Sequence, residues 1–270
     1  MLLVRFSFCE CGSVVCMSPR PAQRSVLAPA SKAGSASAVA SARETTAART
    51  DRIMKLLFGF VGRIYVVGRE HTKRPGGLLL AANHISHFDP FVISGVVRRK
   101  IDWMAMAEFF PYPVLGQFLR AVDAFPAERD RADRVTIRSA IERLREGRIV
   151  GIFPEGGIRD GKDSILEGAP VRLGVAVLSH IAAVPVLPCV ILGTDRLYNK
   201  KRWNPMRRTP IWIAFGEPIL PDSAADKTAA RTLIDQQFAA SVRCLCDQLR
   251  NSFSLTDDDL PHPPGALVGE

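Results

Sequence analysis

The chain alternates between short apolar runs and longer stretches in which apolar and polar residues recur at helical spacing. Short apolar runs bounded by turn residues are typical of buried strands, and apolar residues three and four positions apart are typical of helices. Strands are predicted at Leu78–Leu80, Ile101–Ala105, Arg148–Phe153, Val184–Leu192 and Ile211–Phe215. Helices are predicted at Phe88–Val97, Ala132–Gly147, Val171–Ala182 and Lys227–Leu249. Because the two kinds of element alternate, the pattern predicts an α/β fold.

The pattern also predicts which side of one helix is buried and whether one long uncharged run crosses a membrane. In Ala132–Gly147 the apolar side of an amphipathic helix is predicted to be Val135, Ile137, Ile141 and Leu144. The segment Leu173–Gly193 contains no charged residue, but Pro185 and Pro188 interrupt it, so a helix followed by a strand is predicted in place of a membrane-spanning helix.

The ends of the chain differ in composition from its middle. Residues 1–53 are rich in Ala, Ser and Arg, which suits an organelle targeting segment, a disordered extension, or an extension that precedes a true start at Met54. The apolar stretch Met54–Val67 is too short to span a bilayer and either lies in a membrane interface or forms the first packed helix and strand. One domain is predicted over residues 54–252, and residues 253–270 are predicted to be a disordered tail.

Charge and cysteine content limit the classes of partner and the cellular compartment that we expect for this protein. The formal net charge of +9 favours phosphate-bearing substrates, acidic lipid surfaces or nucleic acid, but no nucleic-acid-binding motif accompanies it. The six cysteines form neither a disulfide framework nor a zinc-binding pattern. We therefore expect no metal, a reducing compartment and no nucleic-acid partner.

The first chemical motif joins a predicted strand to a predicted helix. It contains Asn83 and His84, and Asp89 follows His84 by five residues. Asp89 is predicted to be the N-cap of the helix and Pro90 its first residue. The turn could also fold the carboxylate towards the imidazole, and such a pair acts as a general base in many transfer reactions. For this motif taken alone, a helix cap beside an ordinary loop histidine is the more common explanation of the same residues.

Two further stretches follow apolar segments in the same way. Phe125-Pro126 precedes Arg129, whose guanidinium could bind a phosphate with two donors. The stretch Phe153-Pro154-Glu155-Gly156-Gly157-Ile158-Arg159 allows a tight glycine turn with opposite charges at its rim. An exposed arginine in the first stretch and a glycine turn with a surface ion pair in the second explain the same residues.

Together, in this order, these stretches resemble the glycerolipid acyltransferase family of lysophosphatidate acyltransferases. A fourth stretch, Val184–Pro188, matches the last block of the family, and the resemblance covers roughly residues 60–220. It implies a single α/β domain with a mixed, mostly parallel sheet flanked by helices. It also implies that His84 deprotonates the acceptor hydroxyl and that Asp89 orients His84. The remaining substrate-binding residues implied by the resemblance are Asn83, Arg129, Phe153, Pro154, Glu155, Gly156, Gly157 and Arg159.

This chain departs from the family where Gly157 and Ile158 replace a Thr-Arg pair and displace the arginine by one position to Arg159. The departure leaves the acceptor head group open. Val184–Pro188 is implied to shape the acyl-donor side.

The resemblance implies acyl transfer from a thioester, either acyl-CoA or an acyl carrier protein, to the hydroxyl of lysophosphatidate. Another lysolipid or an amino-lipid is the alternative acceptor, and a non-catalytic basic protein that binds anionic membranes is a further alternative. The thioester brings its own leaving group, so no metal or redox cofactor is expected. Both substrates are amphiphiles, so we expect a peripheral protein on the cytoplasmic face of an anionic membrane.

Overall fold

Seven strands form one sheet. The computed structural model describes residues 62–121, 124–127, 134–171, 174–203, 206, 208–222 and 226–262. In chain order the strands are β1 (Gly62–Val67), β2 (Leu78–Ala82), β3 (Ile101–Met106), β4 (Phe125–Ala127), β5 (Ile149–Ile152), β6 (Val186–Leu192) and β7 (Thr209–Phe215). Their order across the sheet is β1-β7-β6-β2-β5-β3-β4. All neighbouring strands are parallel except β6 and β7, which confirms the mixed, mostly parallel sheet.

The central strands lie between layers of helices. Every residue of β2, β5 and β6 is buried, because helices cover both faces of the sheet at its middle. A strand that is covered on both faces needs apolar side chains throughout, which explains why these strands read as continuous apolar runs.

Five α-helices are described. They are α1 (Asp89–Val96), α2 (Pro113–Ala121), α3 (Arg134–Arg145), α4 (Val175–Ala182) and α5 (Lys227–Phe253). One face of the sheet packs against α1, and the other packs against α3, α4 and α5. In the part of the chain that the structure describes, no helix has the length and apolar character that crossing a membrane requires.

The buried side of α3 differs in part from the prediction. Thr136, Ala140 and Leu144, which follow one another at four-residue intervals, are buried, whereas Val135 is 73% exposed. Val135 precedes Thr136 by one position, and one residue turns a helix by about 100°, which moves a side chain off the buried face.

The predicted disorder of the tail is wrong for residues 253–262. Phe253 completes α5, and Thr256 and Asp259 form a capping box around a short helical turn. Arg196 forms an ion pair with Asp259 at 2.8 Å, which fastens this segment to the domain. Capping and ion pairing therefore order a stretch whose composition alone suggests disorder.

The sheet has two functionally different edges. The carboxyl ends of β2, β3, β5 and β6 lie at one edge, and because β1 and β7 run in the opposite direction they start there. In parallel α/β sheets the loops at the carboxyl ends of the strands form the binding crevice. The motif residues His84, Asp89 and Glu155 follow β2 and β5 at this edge, and we call it the active-site edge.

Candidate active site

A histidine and a buried carboxylate meet at the end of β2. His84 lies in the loop between β2 and α1, and its Nδ1 is 2.8 Å from Oδ2 of Asp89. The imidazole is 16% exposed and the Asp89 side chain is fully buried. Because Nδ1 donates its proton to the carboxylate, Nε2 carries the lone pair of a neutral imidazole. The predicted pairing of His84 with Asp89 is therefore present.

The carboxylate of Asp89 is held by several donors. Its Oδ2 also accepts hydrogen bonds from the backbone N–H groups of Ile85 and Ser86, each at 2.8 Å. Its Oδ1 accepts a short hydrogen bond from the hydroxyl of Thr194. These donors hold the carboxylate in one orientation, with Oδ2 directed at the His84 imidazole.

The role of Asp89 at the helix start differs from the prediction. The N-cap of α1 is Phe88, and Asp89 is the first helical residue, with Pro90 in the first turn. The Asp89 side chain makes no capping bond to its own helix, because it turns back into the preceding loop. The helix start thus fixes the direction of the carboxylate without using it as a cap.

Aromatic rings hold the imidazole from one side. The ring of Phe153 stacks on that of His84 with centroids 4.0 Å apart, and the ring of Trp103 stacks on Phe153 at 4.8 Å. Trp103 is itself fixed by a hydrogen bond from its Nε1 to Ser94 Oγ. Phe153 was predicted to contact substrate, whereas its ring lies against His84. This contact limits rotation of the imidazole.

Asn83 has a structural contact instead of the implied substrate contact. Its Nδ2 donates to the carbonyl of Ile191 at 2.9 Å, and its Oδ1 accepts from the Ile191 N–H at 2.8 Å. The side chain therefore continues the pairing of β2 with β6 beyond the end of β2. Asn83 is fully buried, so its amide is engaged by the protein.

Glu155 connects the two motif loops. Its Oε2 accepts the N–H of His84 at 2.6 Å, and its Oε1 accepts from Ser164 Oγ and the Ile165 N–H, both at 2.8 Å. The residue is 2% exposed. Burial raises the pKa of its carboxyl, while the hydrogen bonds from Ile165 and His84 act in the opposite direction. Both oxygens of Glu155 are therefore engaged within the protein, where they hold the backbone of His84, and its implied contact with the acceptor stays a prediction.

The glycine turn brings Arg159 next to His84. Pro154 is buried, and Gly156, with φ of 69°, closes a turn by donating to the Phe153 carbonyl. That backbone angle suits glycine. The N–H of Arg159 then donates to the His84 carbonyl at 2.9 Å. The buried Nε of Arg159 has no hydrogen-bond partner within the described part of the chain.

Gly157 is the remaining residue of this turn. A Cβ atom placed on it would meet only a terminal nitrogen of Arg159, at 3.9 Å. The space beside the guanidinium is therefore open on this side.

Two further predictions concern Arg129 and the segment Val184–Pro188. Arg129 lies outside the described residues, and β4, which precedes it, is the strand at the sheet border beside β3. Val184, Val186 and Leu187 are buried at the start of β6, whereas the site lies at the carboxyl end of β6. The segment forms part of the core, and its implied role on the acyl-donor side stays a prediction.

Thr194 and Trp103 are contributors that the sequence analysis missed. Thr194 follows β6 and is fully buried, and β6 is the parallel neighbour of β2. Carboxyl ends of neighbouring parallel strands meet at one edge, so the first polar residues after β6 were the available signal. Trp103 carries no sequence signal of this kind, since its contact with Phe153 depends on the pairing of β3 with β5.

Replacement of Thr194 by valine is expected to lower kcat about tenfold, because it removes a hydrogen bond from the buried Asp89 carboxylate without changing the side-chain shape. The free energy of unfolding should fall by about 1–3 kcal/mol for the same reason. Thioester turnover and urea unfolding measure the two effects. Thr194→Ser, which keeps the hydroxyl, should restore most of kcat, and equal losses in both variants would contradict the assignment.

These features define an α/β enzyme with a histidine–carboxylate pair at the carboxyl edge of a mostly parallel sheet. A family model described as Acyltransferase matches residues 63–192. The chain is 34% identical to lyso-ornithine lipid O-acyltransferase of Rhizobium meliloti over 230 residues, covering 74% of each chain. It is 28% identical to 1-acyl-sn-glycerol-3-phosphate acyltransferase of Bacillus subtilis, covering 62% of this chain and 78% of the relative.

A solved structure has the same fold. The crystal structure of the 1-acyl-sn-glycerophosphate acyltransferase of Thermotoga maritima matches with a TM-score of 0.60 and 25% identity, covering 77% of this chain and 83% of the other. The chain belongs to the glycerolipid acyltransferase family and is an acyltransferase. Members of this family use an acyl donor and a lysolipid acceptor.

Proposed function

We propose that this enzyme transfers a fatty acyl group from an acyl thioester to the free hydroxyl of lysophosphatidate, giving phosphatidate in phospholipid biosynthesis. The observation that carries the mechanism is the His84–Asp89 pair, with Nδ1 bound to the carboxylate and Nε2 available as the base. The supporting contacts to Phe153 and Glu155 hold His84 in one orientation before substrate binds.

In the proposed reaction His84 Nε2 removes the proton of the acceptor hydroxyl as its oxygen attacks the thioester carbonyl carbon. The carbon–sulfur bond breaks when the tetrahedral intermediate collapses, and the thiolate takes the proton from the His84 imidazolium. A new ester and a free thiol result, so His84 and Asp89 return to their starting states. A positioned imidazole contributes about 10²–10⁴-fold to such a rate.

Arg159 is our candidate for binding the acceptor phosphate. It is held beside His84 by its backbone bond to the His84 carbonyl, and its buried Nε has no partner in the described residues. A guanidinium binds phosphate with two parallel donors, which would satisfy this nitrogen. Arg129 remains a proposed second phosphate ligand on the family resemblance.

A lyso-ornithine lipid is the second candidate acceptor. The relative of Rhizobium meliloti that carries this activity in its name is 34% identical to the chain, and Gly157 and Ile158 stand where the family pattern has Thr-Arg. This acceptor offers no glycerol phosphate to Arg159. The two candidates therefore differ in whether Arg159 contributes to acceptor binding.

For the donor we propose acyl-CoA or an acyl carrier protein, because either supplies the thioester. The leaving thiol makes a metal or redox cofactor unnecessary for the proposed chemistry. We further propose that the protein works as a peripheral protein at the cytoplasmic face of a membrane, where it meets the lysolipid acceptor.

The deciding experiment measures thioester consumption by the full-length protein with lysophosphatidate and lyso-ornithine lipid in parallel. With lysophosphatidate, Arg159→Ala is expected to raise KM about 10–100-fold, since a hydrogen bond to a charged group contributes about 1.5–3 kcal/mol. Lys162→Ala removes one positive charge from the same segment and should change KM less than threefold, by roughly 0.5 kcal/mol, as a charge outside the site.

Turnover with lyso-ornithine lipid alone, unaffected by Arg159→Ala, would move the acceptor to the second candidate. Absence of turnover with either acceptor and with either donor would contradict the acyl-transfer proposal itself.

A further inference from the structure

Exposed apolar and basic side chains flank His84 on the active-site edge. On one side, after β3, lie Pro111 and Tyr112, and on the other, before β7, lie Lys201, Arg202, Met206 and Arg208. We call these six residues the docking face. In the sheet β2 has β5 and then β3 on one side, and β6 and then β7 on the other. The two parts therefore start about 10 Å to either side of the strand that carries His84, at about 4.8 Å per strand.

The basic part of the docking face belongs to a segment without acidic residues. Residues 199–208 contain five Lys and Arg residues and no Asp or Glu. Lys201, Arg202 and Arg208 are exposed, and Met206 beside them is 91% exposed. A methionine in this position adds apolar surface within a positively charged patch.

The aromatic part lies between two prolines. Tyr112 is 61% exposed and follows the exposed Pro111. Glu108 is exposed nearby, so the positive charge is concentrated on the other side of His84. Tyrosine is a residue of membrane–water interfaces, where its ring and its hydroxyl meet the two media.

The docking face is fixed relative to the active site. The hydroxyl of Tyr198 accepts the backbone N–H of His87 at 3.0 Å and lies 2.5 Å from the His87 Nδ1, three residues from His84. At the other end of the segment the hydroxyl of Thr209 donates to the Arg202 carbonyl at 3.2 Å. These contacts attach the basic segment to the loop that contains His84 and to β7.

We propose that the docking face binds the surface of an anionic bilayer, with the basic side chains on lipid phosphates and with Met206 and Tyr112 at the boundary of the acyl chains. This placement turns the active-site edge, and with it His84, towards the lipid surface. The proposal rests on the proposed function in one respect, since an amphiphilic acceptor is then delivered from the bilayer.

A bilayer fits this face better than a nucleic acid does. Polyanions such as RNA would be bound by the basic side chains alone, whereas Met206 and Tyr112 would be left in water. A membrane interface accepts charged and apolar groups side by side, and its anionic lipids attract basic residues that lie near the surface. RNA is therefore an alternative outcome of the test.

The test is co-sedimentation of the full-length protein with vesicles of phosphatidylglycerol and phosphatidylcholine. Lys201→Glu, Arg202→Glu and Arg208→Glu together should weaken binding at least about 100-fold, at about fivefold for each basic residue near an anionic surface. The matched control is the triple variant Lys73→Glu, Arg74→Glu and Arg98→Glu. All three residues are exposed. Lys73 and Arg74 lie between β1 and β2, and Arg98 lies between α1 and β3, so all three are at the opposite edge of the sheet.

The control variant should bind vesicles within about threefold of the parent protein, because its charges face away from the bilayer. Equal losses in both triple variants would mean that net charge, and not the docking face, drives binding, and would overturn the proposal. Unchanged binding of the docking-face variant would do the same.

The RNA alternative is tested by competition and by the double variant Tyr112→Ser/Met206→Ser. If RNA competes fully with vesicles and the double variant binds vesicles as the parent protein does, the partner would be a nucleic acid. The proposal expects about a tenfold loss in that double variant.

Vesicle binding is measured without turnover, so it stands or fails independently of the proposed reaction. Turnover of a short-chain, monodisperse lysolipid should be equal in the docking-face variant and the parent protein, since His84 and Asp89 are unaltered. Loss of that turnover would show that the substituted residues act in catalysis and would contradict a docking role. Circular dichroism of each variant confirms that it is folded.

Discussion

His84→Ala is expected to lower kcat by about 10²–10⁴-fold while the protein stays folded, because the acceptor hydroxyl loses its general base. The buried Asp89 carboxylate loses one hydrogen bond but keeps its donors from Ile85, Ser86 and Thr194. The free energy of unfolding should therefore fall by about 1–3 kcal/mol. Thioester consumption under saturating substrate measures kcat, and thermal unfolding measures stability.

His87→Ala is the matched control, since it removes a second imidazole from the same loop. His87 is bound to Tyr198 in place of a carboxylate, and burial lowers its pKa, followed by the influence of His84. Its loss should leave kcat within an order of magnitude of the parent, about the effect of one hydrogen bond. If the two variants lost activity to the same extent, His84 would have no special role as a base.

Asp89→Asn is expected to lower kcat by about 10²–10⁴-fold and also to destabilise the fold. Removal of the negative charge ends the stabilisation of the imidazolium that forms when His84 takes the proton. The amide group also places N–H donors where Thr194 or two backbone N–H groups already donate, which costs about 1–3 kcal/mol for each buried group left unsatisfied. Urea unfolding and thioester turnover, taken on the same preparation, separate the two effects.

Asp102→Asn serves as the control for stability alone. Asp102 is buried and bound by Arg148, at 2.6 Å and 2.8 Å, near the start of β3 and therefore at the opposite edge of the sheet. Its substitution should lower the free energy of unfolding by about 1–3 kcal/mol, because the bonds to Arg148 are weakened while the Arg148 side chain, 33% exposed, remains in contact with water. The kcat of the folded protein should stay intact. A loss of kcat as large as that of Asp89→Asn would attribute the Asp89 effect to stability.

Local patterns predicted the strands of the sheet centre well, because complete burial demands an apolar residue at every position of β2, β5 and β6. They were less reliable at helix faces. Val135 is apolar yet exposed, since a single apolar residue outside the buried stripe costs little and only the packing of α3 on the sheet decides which side faces inward. The tail shows the converse case, in which ion pairs to Arg196 and Arg250 order a polar segment.

Sequence reasoning was also limited for the motif residues, some of which position other parts of the protein. The resemblance implied that Asn83 and Glu155 touch substrate, but the structure engages both side chains in contacts within the protein. Asn83 bonds to Ile191, and Glu155 bonds to His84, Ser164 and Ile165. A side chain that positions a functional residue and one that binds substrate leave the same signal in a motif, so sequence reasoning does not separate them.

The sequence by itself predicted the α/β class, because buried strands and amphipathic helices leave local patterns. It predicted the pairing of His84 with Asp89 only together with the family resemblance, because their five-residue spacing also suits a helix cap beside an ordinary loop histidine. Only the tertiary structure decided what surrounds that pair. Thr194 lies 105 residues from Asp89, and Glu155 lies 71 residues from His84. Parallel strands bring their carboxyl ends to one edge whatever the length of chain between them, so these contacts depend on strand order, which no local pattern encodes.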